Sequence, residues 1–481
     1  MASTRVRHAV TLWLSAAAVT AYLCRNSLVV AESELRTGLG LSEDQMGFIL
    51  GPAFFWTYAL AQIPTARWGE RIGARRALAG FSVVWSLASL LIAAATGFAW
   101  LLASRLISGV AQAGLFPGSV RVIADWHPRP ERGTASGMLG AAMSVGGAIG
   151  AGLTGWLLGS ISVFAIFAWF ALPGLLWSVG FVWWFRERPA DHPAVNDEEL
   201  RRIRGEPETA AAAEANEPAA GLSPAGPSGA RPSPARPSGA GRPGTGTAIT
   251  EDVEVPLAPR RMWLELWTSP AAWLLFGQQF FRAGGYAFFA SWFATYLMET
   301  RGVTTAQSGW MTAMPLIATV AGSMFGGVAS DAVLRATGSL SLARKGVAAT
   351  SLSLCAVLVA TAFFVHDPLI AVGVISGGAF LAAIGGPCGY TMTMDLGGNH
   401  VASVFSTMNM LGNFGAGLTP WLVPRFKRWV EASPTGMAWS DGNSWNAVLL
   451  LFVAMYLGSA ICWCLLSARG SVFEQSLLRR K

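Results

Sequence analysis

GLSEDQMG at residues 40–47 returns as GVTTAQSG at 302–309, and GAGLTGWL at 150–157 returns as GAGLTPWL at 415–422. The members of the first pair start at 40 and 302, 262 residues apart, and those of the second at 150 and 415, 265 apart, so nearly one register relates them. The chain therefore reads as two copies of one unit. Each first match opens with a capping box, Ser42 with Gln45 and Thr304 with Gln307, which satisfies the orphan amides at the start of a helix. The glycines at 146, 147, 150, 152 and 155, and at 412, 415 and 417 in the other copy, let helix backbones pack closely and slide. Duplicated halves in a membrane protein point to a secondary transporter with its site between them.

The solvent is lipid by composition. Of 481 residues, 53% are hydrophobic and only 13% charged, and the mean hydropathy is +0.45, more apolar surface than one or two soluble cores bury. Apolar runs of about 20 residues, enough to cross roughly 30 Å of hydrocarbon, recur about twelve times. They are expected near 9–33, 44–66, 76–96, 98–124, 135–158, 162–185, 271–298, 307–330, 346–365, 368–394, 401–424 and 445–467. The first follows Arg5 and Arg7 but is too long for a signal-peptide core and contains Arg25, so it reads as a span. The expected fold is an all-α polytopic membrane protein, with twelve transmembrane helices in two pseudo-symmetric six-helix bundles. The bundles are expected at 1–185 and 263–481, joined by a disordered cytoplasmic linker at 186–262 whose stretch LSPAGPSGARPSPARPSGAGRPGTGT is too poor in apolar groups to order itself.

Basic loop residues set the orientation. Arg67, Arg71, Arg75, Arg76, Arg129, Arg132, the linker arginines, Arg335, Arg344, Lys345, Arg479, Arg480 and Lys481 fall on one side, which the positive-inside rule assigns to the cytoplasm together with both termini. Arg36 and Arg301 lie on the other side, and Arg425, Lys427 and Arg428 there run against the trend. These short clusters between apolar runs explain the net charge of +7 without nucleic acid. Metal, nucleotide and covalent cofactors are not indicated: the five cysteines and five histidines lack ligand spacing, and no GxxxxGK[ST] motif occurs. The spans hold no nucleophile–base pair or paired catalytic acids, so an enzyme is not expected.

Residues 66–76, Ala-Arg-Trp-Gly-Glu-Arg-Ile-Gly-Ala-Arg-Arg, resemble the GxxxDRxGRR-type signature of the major facilitator superfamily, with Ala66 where Gly is usual and Glu70 where Asp is usual. Gly326, Gly327, Asp331 and then Arg344 and Lys345 form a degenerate second copy. The resemblance implies a gating latch in which Glu70, with Arg71, Gly73, Arg75 and Arg76, and Asp331 in the other half hold the cytoplasmic ends together. The plainer reading is positive-inside charge with a turn glycine. Within the superfamily, Tyr22 to Asn26, FFWTYALAQIP (54–64), Arg105 with GLFPGSVRVIADWHPRPERGTASG (114–137), SWFATYL (291–297) and MDLGGNHVASVFSTMNMLGNFGAGL (394–418) resemble the anion:cation symporter family of organic-anion and sugar-acid carriers.

Ionisable groups in the hydrocarbon layer are costly and mark function by default. Arg25, Arg105 and Arg282 are the central ones, none with a carboxylate near it along its own helix, so an anionic cargo can complete the ion pair through bidentate guanidinium contacts. The resemblance places Arg25 and Arg105 at the family's first- and fourth-helix arginines, and Arg282 where glycerol-phosphate carriers keep one in the seventh helix. The alternatives are snorkelling of Arg25 towards Glu32 or Glu34, and an interfacial anchor for Arg105. Tyr22, Tyr58, Gln112, Tyr286, Asn409 and Asn413, with Gln278 and Tyr390, are candidates for reading substrate hydroxyls or, in the plainer reading, for gluing helices together. Proton-coupled relatives carry an Asp before the first-helix arginine and a Glu seven residues after the fourth-helix one; Cys24 and Gln112 stand there, which leaves facilitated uptake, anion exchange or another coupling ion open. The expected function is transport of a small organic anion by a monomer in the plasma (inner) membrane, a phosphate-ester exchanger and a non-transporting sensor being the rivals.

Overall fold

The computed structural model describes residues 3–158, 160–205, 259–303, 305–468 and 470–473, and among them every regular element is a helix. The first half runs α1 (Val6–Val30), α2 (Glu32–Gly38), α3 (Glu43–Leu50), α4 (Pro52–Ile72), α5 (Ala74–Ala93), α6 (Phe98–Ala113), α7 (Leu115–Trp126), α8 (Arg132–Leu157), α9 (Val163–Trp184) and α10 (Asp197–Arg204). The second runs α11 (Pro259–Thr268), α12 (Pro270–Ser291), α13 (Phe293–Arg301), α14 (Thr305–Thr337), α15 (Val347–Thr361) after a π-helical turn at Ser341–Gly346, α16 (Pro368–Leu396), α17 (Val401–Glu431), α18 (Pro434–Trp439) and α19 (Ser444–Leu465).

Nine helical segments among the described residues are long and apolar enough to cross a membrane. The remaining three expected spans correspond to α1, α12 and α17, which are as long but more polar. Their polarity has a reason: they carry Arg25, Arg282 and the Asn409/Asn413 pair, and helices lining a polar interior give up hydropathy to do so. Several spans are broken, the second at Gly51, the fourth at Gly114 and the seventh at Trp292.

The repeated GAGLT motif has a packing cause. A Cβ on Gly150 would collide with the α1 backbone at Leu23, and one on Gly415 with the α12 backbone at Phe280. In each copy the threonine four residues on returns its hydroxyl to that glycine's carbonyl, Thr154 at 2.6 Å and Thr419 at 3.1 Å. With no difference in apolarity between lipid and side chains to drive association, such close backbone approach is what holds membrane helices together. The Ser42/Gln45 capping box forms at the start of α3, whereas its counterpart depends on Thr304, which lies outside the described residues.

The start of the expected disordered linker is ordered here. Residues 186–205 contain α10, whose Glu199 is fully buried and caps the start of α1, accepting from the Val6 and Arg7 amides at 2.9 and 3.0 Å and from the Arg7 guanidinium at 3.1 Å. Arg7 also grips Glu131 at 2.6 Å, as does Arg202 at 2.8 Å. A helix N-terminus and a buried cation that need an anion explain why this piece is held while its composition looks like a linker. The low-complexity stretch itself, within 206–258, lies outside the described residues.

Burial by itself raises the Glu199 carboxyl, but the Thr4 hydroxyl, the two amides and the Arg7 guanidinium outweigh it and hold the group below its ordinary value. A depressed carboxyl contributes stability that is complete above its unfolded pKa of about 4.3 and is lost as pH falls through the lower folded value. Glu199→Gln should therefore melt lower than the wild type at neutral pH, with the gap narrowing at pH about 3, as thermal unfolding in detergent would record.

Candidate functional site

Half of the candidate site hangs on α1, α4 and α6. Arg25 is 9% exposed, and its guanidinium carbon stands 4.1 Å from the Phe54 ring centroid, 5.0 Å from Tyr22 and Tyr58 and 5.1 Å from Phe55. It is caged by aromatic rings and does not snorkel. Arg105 is 3% exposed, lies 4.6 Å from the same Phe54 ring and reaches the Ile49 carbonyl at 3.4 Å, so it is no interfacial anchor. Gln112 is buried and donates to the Ala21 carbonyl at 3.3 Å, leaving its side-chain oxygen without a partner among the described residues. Cys24 hydrogen-bonds to the Phe170 carbonyl at 3.3 Å, so the residue in place of the relatives' acid is packed against α9.

The facing wall comes from α12, α16 and α17. Arg282 donates to Gln279 at 2.9 Å, its Nε has no partner among the described residues, and a Cβ on Gly385 would stand 3.4 Å from its side chain. Gly385 and Gly386, ahead of Pro387 in α16, leave room for the guanidinium. Tyr286, 37% exposed, and Tyr390, 9% exposed, lie within electrostatic reach of Arg282. The walls meet through rings: Tyr22 packs on Phe116 at 6.3 Å and Phe116 on Tyr390 at 6.4 Å, while Tyr58 and Asn409 are within hydrogen-bonding reach. Asn413 shares the face of Asn409 but spends its amide on the Asn409 carbonyl at 2.8 Å, and Gln278 donates to the Leu275 carbonyl at 3.0 Å as structural glue. Among the described residues, no carboxylate is paired with Arg25, Arg105 or Arg282.

The signature segment is built differently from its expected form as a charged loop. α4 continues to Ile72 and α5 begins at Ala74, so the loop is Gly73 alone, whose φ of +88° suits glycine. Glu70 does not pair with the neighbouring arginines. It crosses to the other half and accepts from the Ser403 amide at 3.1 Å and hydroxyl at 3.0 Å, at the N-terminus of α17. Arg75 donates to the Val182 carbonyl at 2.8 Å, and Arg71 and Arg76 are exposed.

Asp331, 261 residues on from Glu70, mirrors it. It accepts from the Gly133 and Thr134 amides at 3.0 and 2.6 Å and from the Thr134 hydroxyl at 2.8 Å, at the N-terminus of α8. The two contacts thus match: each carboxylate is set against a helix N-terminus of the opposite half, where the dipole and free amides favour an anion. Arg344 braces the second, contacting Asp331 at 3.0 Å and the Arg129 carbonyl at 2.9 Å, with Asp395 at 3.6 Å from both Arg344 and Arg132. The halves close here without a gap because Gly133 and Gly327 leave no side chain between α8 and α14.

Phe54, Gln279 and Ser403 were not singled out in advance. Phe54 stands inside the quoted FFWTYALAQIP stretch, where an aromatic run looks like any lipid-facing surface, and Ser403 gives no sequence signal because its partner lies 333 positions away.

Compared with known proteins, residues 14–420 match the sequence pattern of the Major Facilitator Superfamily. The chain is 28% identical over 411 residues to the probable galactarate/D-glucarate transporter GudP of Escherichia coli, covering 82% of this chain and 81% of that protein. It is 26% identical to the probable sulfoacetate transporter SauU of Cupriavidus necator, covering 81% and 80%. The crystal structure of the human organic anion transporter MFSD10 superposes with a TM-score of 0.61 at 15% identity, covering 95% of this chain and 99% of that one, a likeness of fold.

Proposed function

The chain belongs to the Major Facilitator Superfamily, and on that premise we propose that this integral membrane protein carries a small organic anion, a sugar acid or related carboxylate, by alternating access. The observation that carries the reading is the set of three arginines, Arg25 and Arg105 from one half and Arg282 from the other, with no paired carboxylate among the described residues. Leaving cations uncompensated in a low-dielectric interior is costly, and a carboxylate guest removes that cost while accepting two parallel N–H bonds from a guanidinium. The relatives are named as probable transporters of galactarate, D-glucarate and sulfoacetate, all small organic anions, which supports the reading. Tyr22, Tyr58, Gln112, Tyr286, Asn409 and Asn413 then read the hydroxyls, the free Gln112 oxygen as an acceptor and the tyrosines as donors.

The latch gives the cycle its other half. With Glu70 on Ser403 and Asp331 on Gly133 and Thr134, the basic end is shut, so this state exchanges cargo at the opposite end. The positive-inside distribution supports an orientation with the basic end and both termini in the cytoplasm of a plasma-membrane protein that works as a monomer. Because neither the Cys24 thiol nor the Gln112 amide gains and loses a proton at ordinary pH, the routes that fit are facilitated uptake, anion exchange or another coupling ion.

In proteoliposomes, labelled D-glucarate should enter vesicles that contain no exchangeable anion, and unlabelled galactarate should compete. Entry only into vesicles preloaded with phosphate would identify an exchanger of phosphate compounds and sink the proposal.

A further inference from the structure

Two cations rest on one ring. The Phe54 side chain is fully buried, and the guanidinium carbons of Arg25 and Arg105 stand 4.1 and 4.6 Å from its centroid. Tyr58 stacks beside it at 5.8 Å and 17°, and Phe55 meets it edge-on at 5.6 Å. Two like charges close to the same ring repel each other, and here no carboxylate separates them. What they share is the negative face of an aromatic quadrupole in a desolvated place, where a cation over a ring gains most.

The backbone holds that ring in register with Arg105. Gly109 follows Arg105 by one helical turn, and a Cβ on it would come within 2.8 Å of the Phe54 carbonyl and would overlap the Thr57 side chain. The glycine therefore brings α6 against α4 at the level of Phe54. Thr57 donates its hydroxyl back to the Ala53 and Phe54 carbonyls at 2.7 and 3.0 Å and lies in the crossing itself, in the space the glycine leaves.

We propose that Phe54 is a positioning residue for cargo: its π-face keeps the Arg25 and Arg105 guanidinium groups organised while the site is empty, so that an anion meets them already placed. The inference rests on the reading of these arginines as the anion site. An aliphatic side chain of similar volume would fill the same space yet leave the two guanidinium groups free to swing apart, and cargo binding would then bear the cost of ordering them.

Replacement of Phe54 by 3,4,5-trifluorophenylalanine tests this, because fluorination removes the quadrupole and nearly preserves the shape. The KM for D-glucarate uptake should rise on the order of tenfold, with maximal rate and melting temperature unchanged. Phe54→Leu should raise KM similarly, and Phe54→Tyr should stay near the wild type. An unchanged KM in the trifluorinated protein overturns the proposal, even if Phe54→Leu is impaired, since packing alone would then account for the residue. Arg25→Ala and Arg105→Ala separate the two levels. If both lose uptake while the fluorinated protein keeps its KM, only the role of Phe54 falls; if both transport normally, the anion site falls and Phe54 with it.

Discussion

Arg25→Ala is expected to abolish uptake while the protein stays folded in the membrane. The guanidinium is buried among four rings, which offer a carboxylate nothing once it is gone. Truncating one member of a buried hydrogen-bonded charge pair costs about 2–5 kcal/mol, a loss of affinity of roughly thirtyfold to several thousandfold. Stability should move the other way, because in the empty protein the variant deletes a charge that has no anionic partner, and aromatic side chains can close over the space. Uptake, binding of D-glucarate and thermal unfolding of Arg25→Ala and Arg25→Lys check this together. Lys keeps the charge but loses the fork, so it should recover part of the binding. Wild-type uptake by Arg25→Ala would remove the residue from the site.

Asp331→Ala should unlock the basic end. Asp331 and Arg344 are both fully buried, so removing the carboxylate leaves a guanidinium without its closest anion, a change worth about 3–5 kcal/mol in comparable buried pairs. The N-terminus of α8 loses its cap at the same stroke, about 1 kcal/mol more. The loss of the cap falls on the closed state, because Asp331 and its α8 partners belong to different halves, whereas the loss at Arg344, which shares a half with Asp331, weighs on both states. The expected outcome is a lower melting temperature and a population shift towards the state open at this end. A cysteine introduced at Ser323, which donates to the Gly137 carbonyl across the same interface, should become reactive from the basic side in Asp331→Ala and stay protected in the otherwise native protein. Equal protection and equal melting in the two proteins would show that the carboxylate does not hold the latch.

Much of this was legible from local pattern. Run length marked the helices because an apolar stretch must match the bilayer whatever its neighbours are. The polar exceptions in those runs, Arg25, Arg105 and Arg282, stood out for the same reason, since lipid tolerates few of them. Other features were written in the chain but could not be decoded locally. Glu70 sits among arginines in sequence, and the resemblance implied that they act together across the cytoplasmic ends, yet α4 runs on to Ile72 and aims the carboxylate alone at Ser403. Glu199 lies in a charged, linker-like stretch, and only the approach of the α1 N-terminus reveals it as a cap.

The amino-acid order by itself determined that the chain is helical, membrane-embedded and duplicated, and that its interior carries positive charge: these follow from hydropathy, period and residue type, which act over a few turns. Tertiary structure decided which groups meet: that Phe54 underlies two arginines, that each half's carboxylate seats on the other half's helix, and that glycines at 133 and 327 let them touch. Contacts between residues hundreds of positions apart depend on how helices cross, and crossing is set by the summed packing of whole faces, which no single stretch of sequence contains.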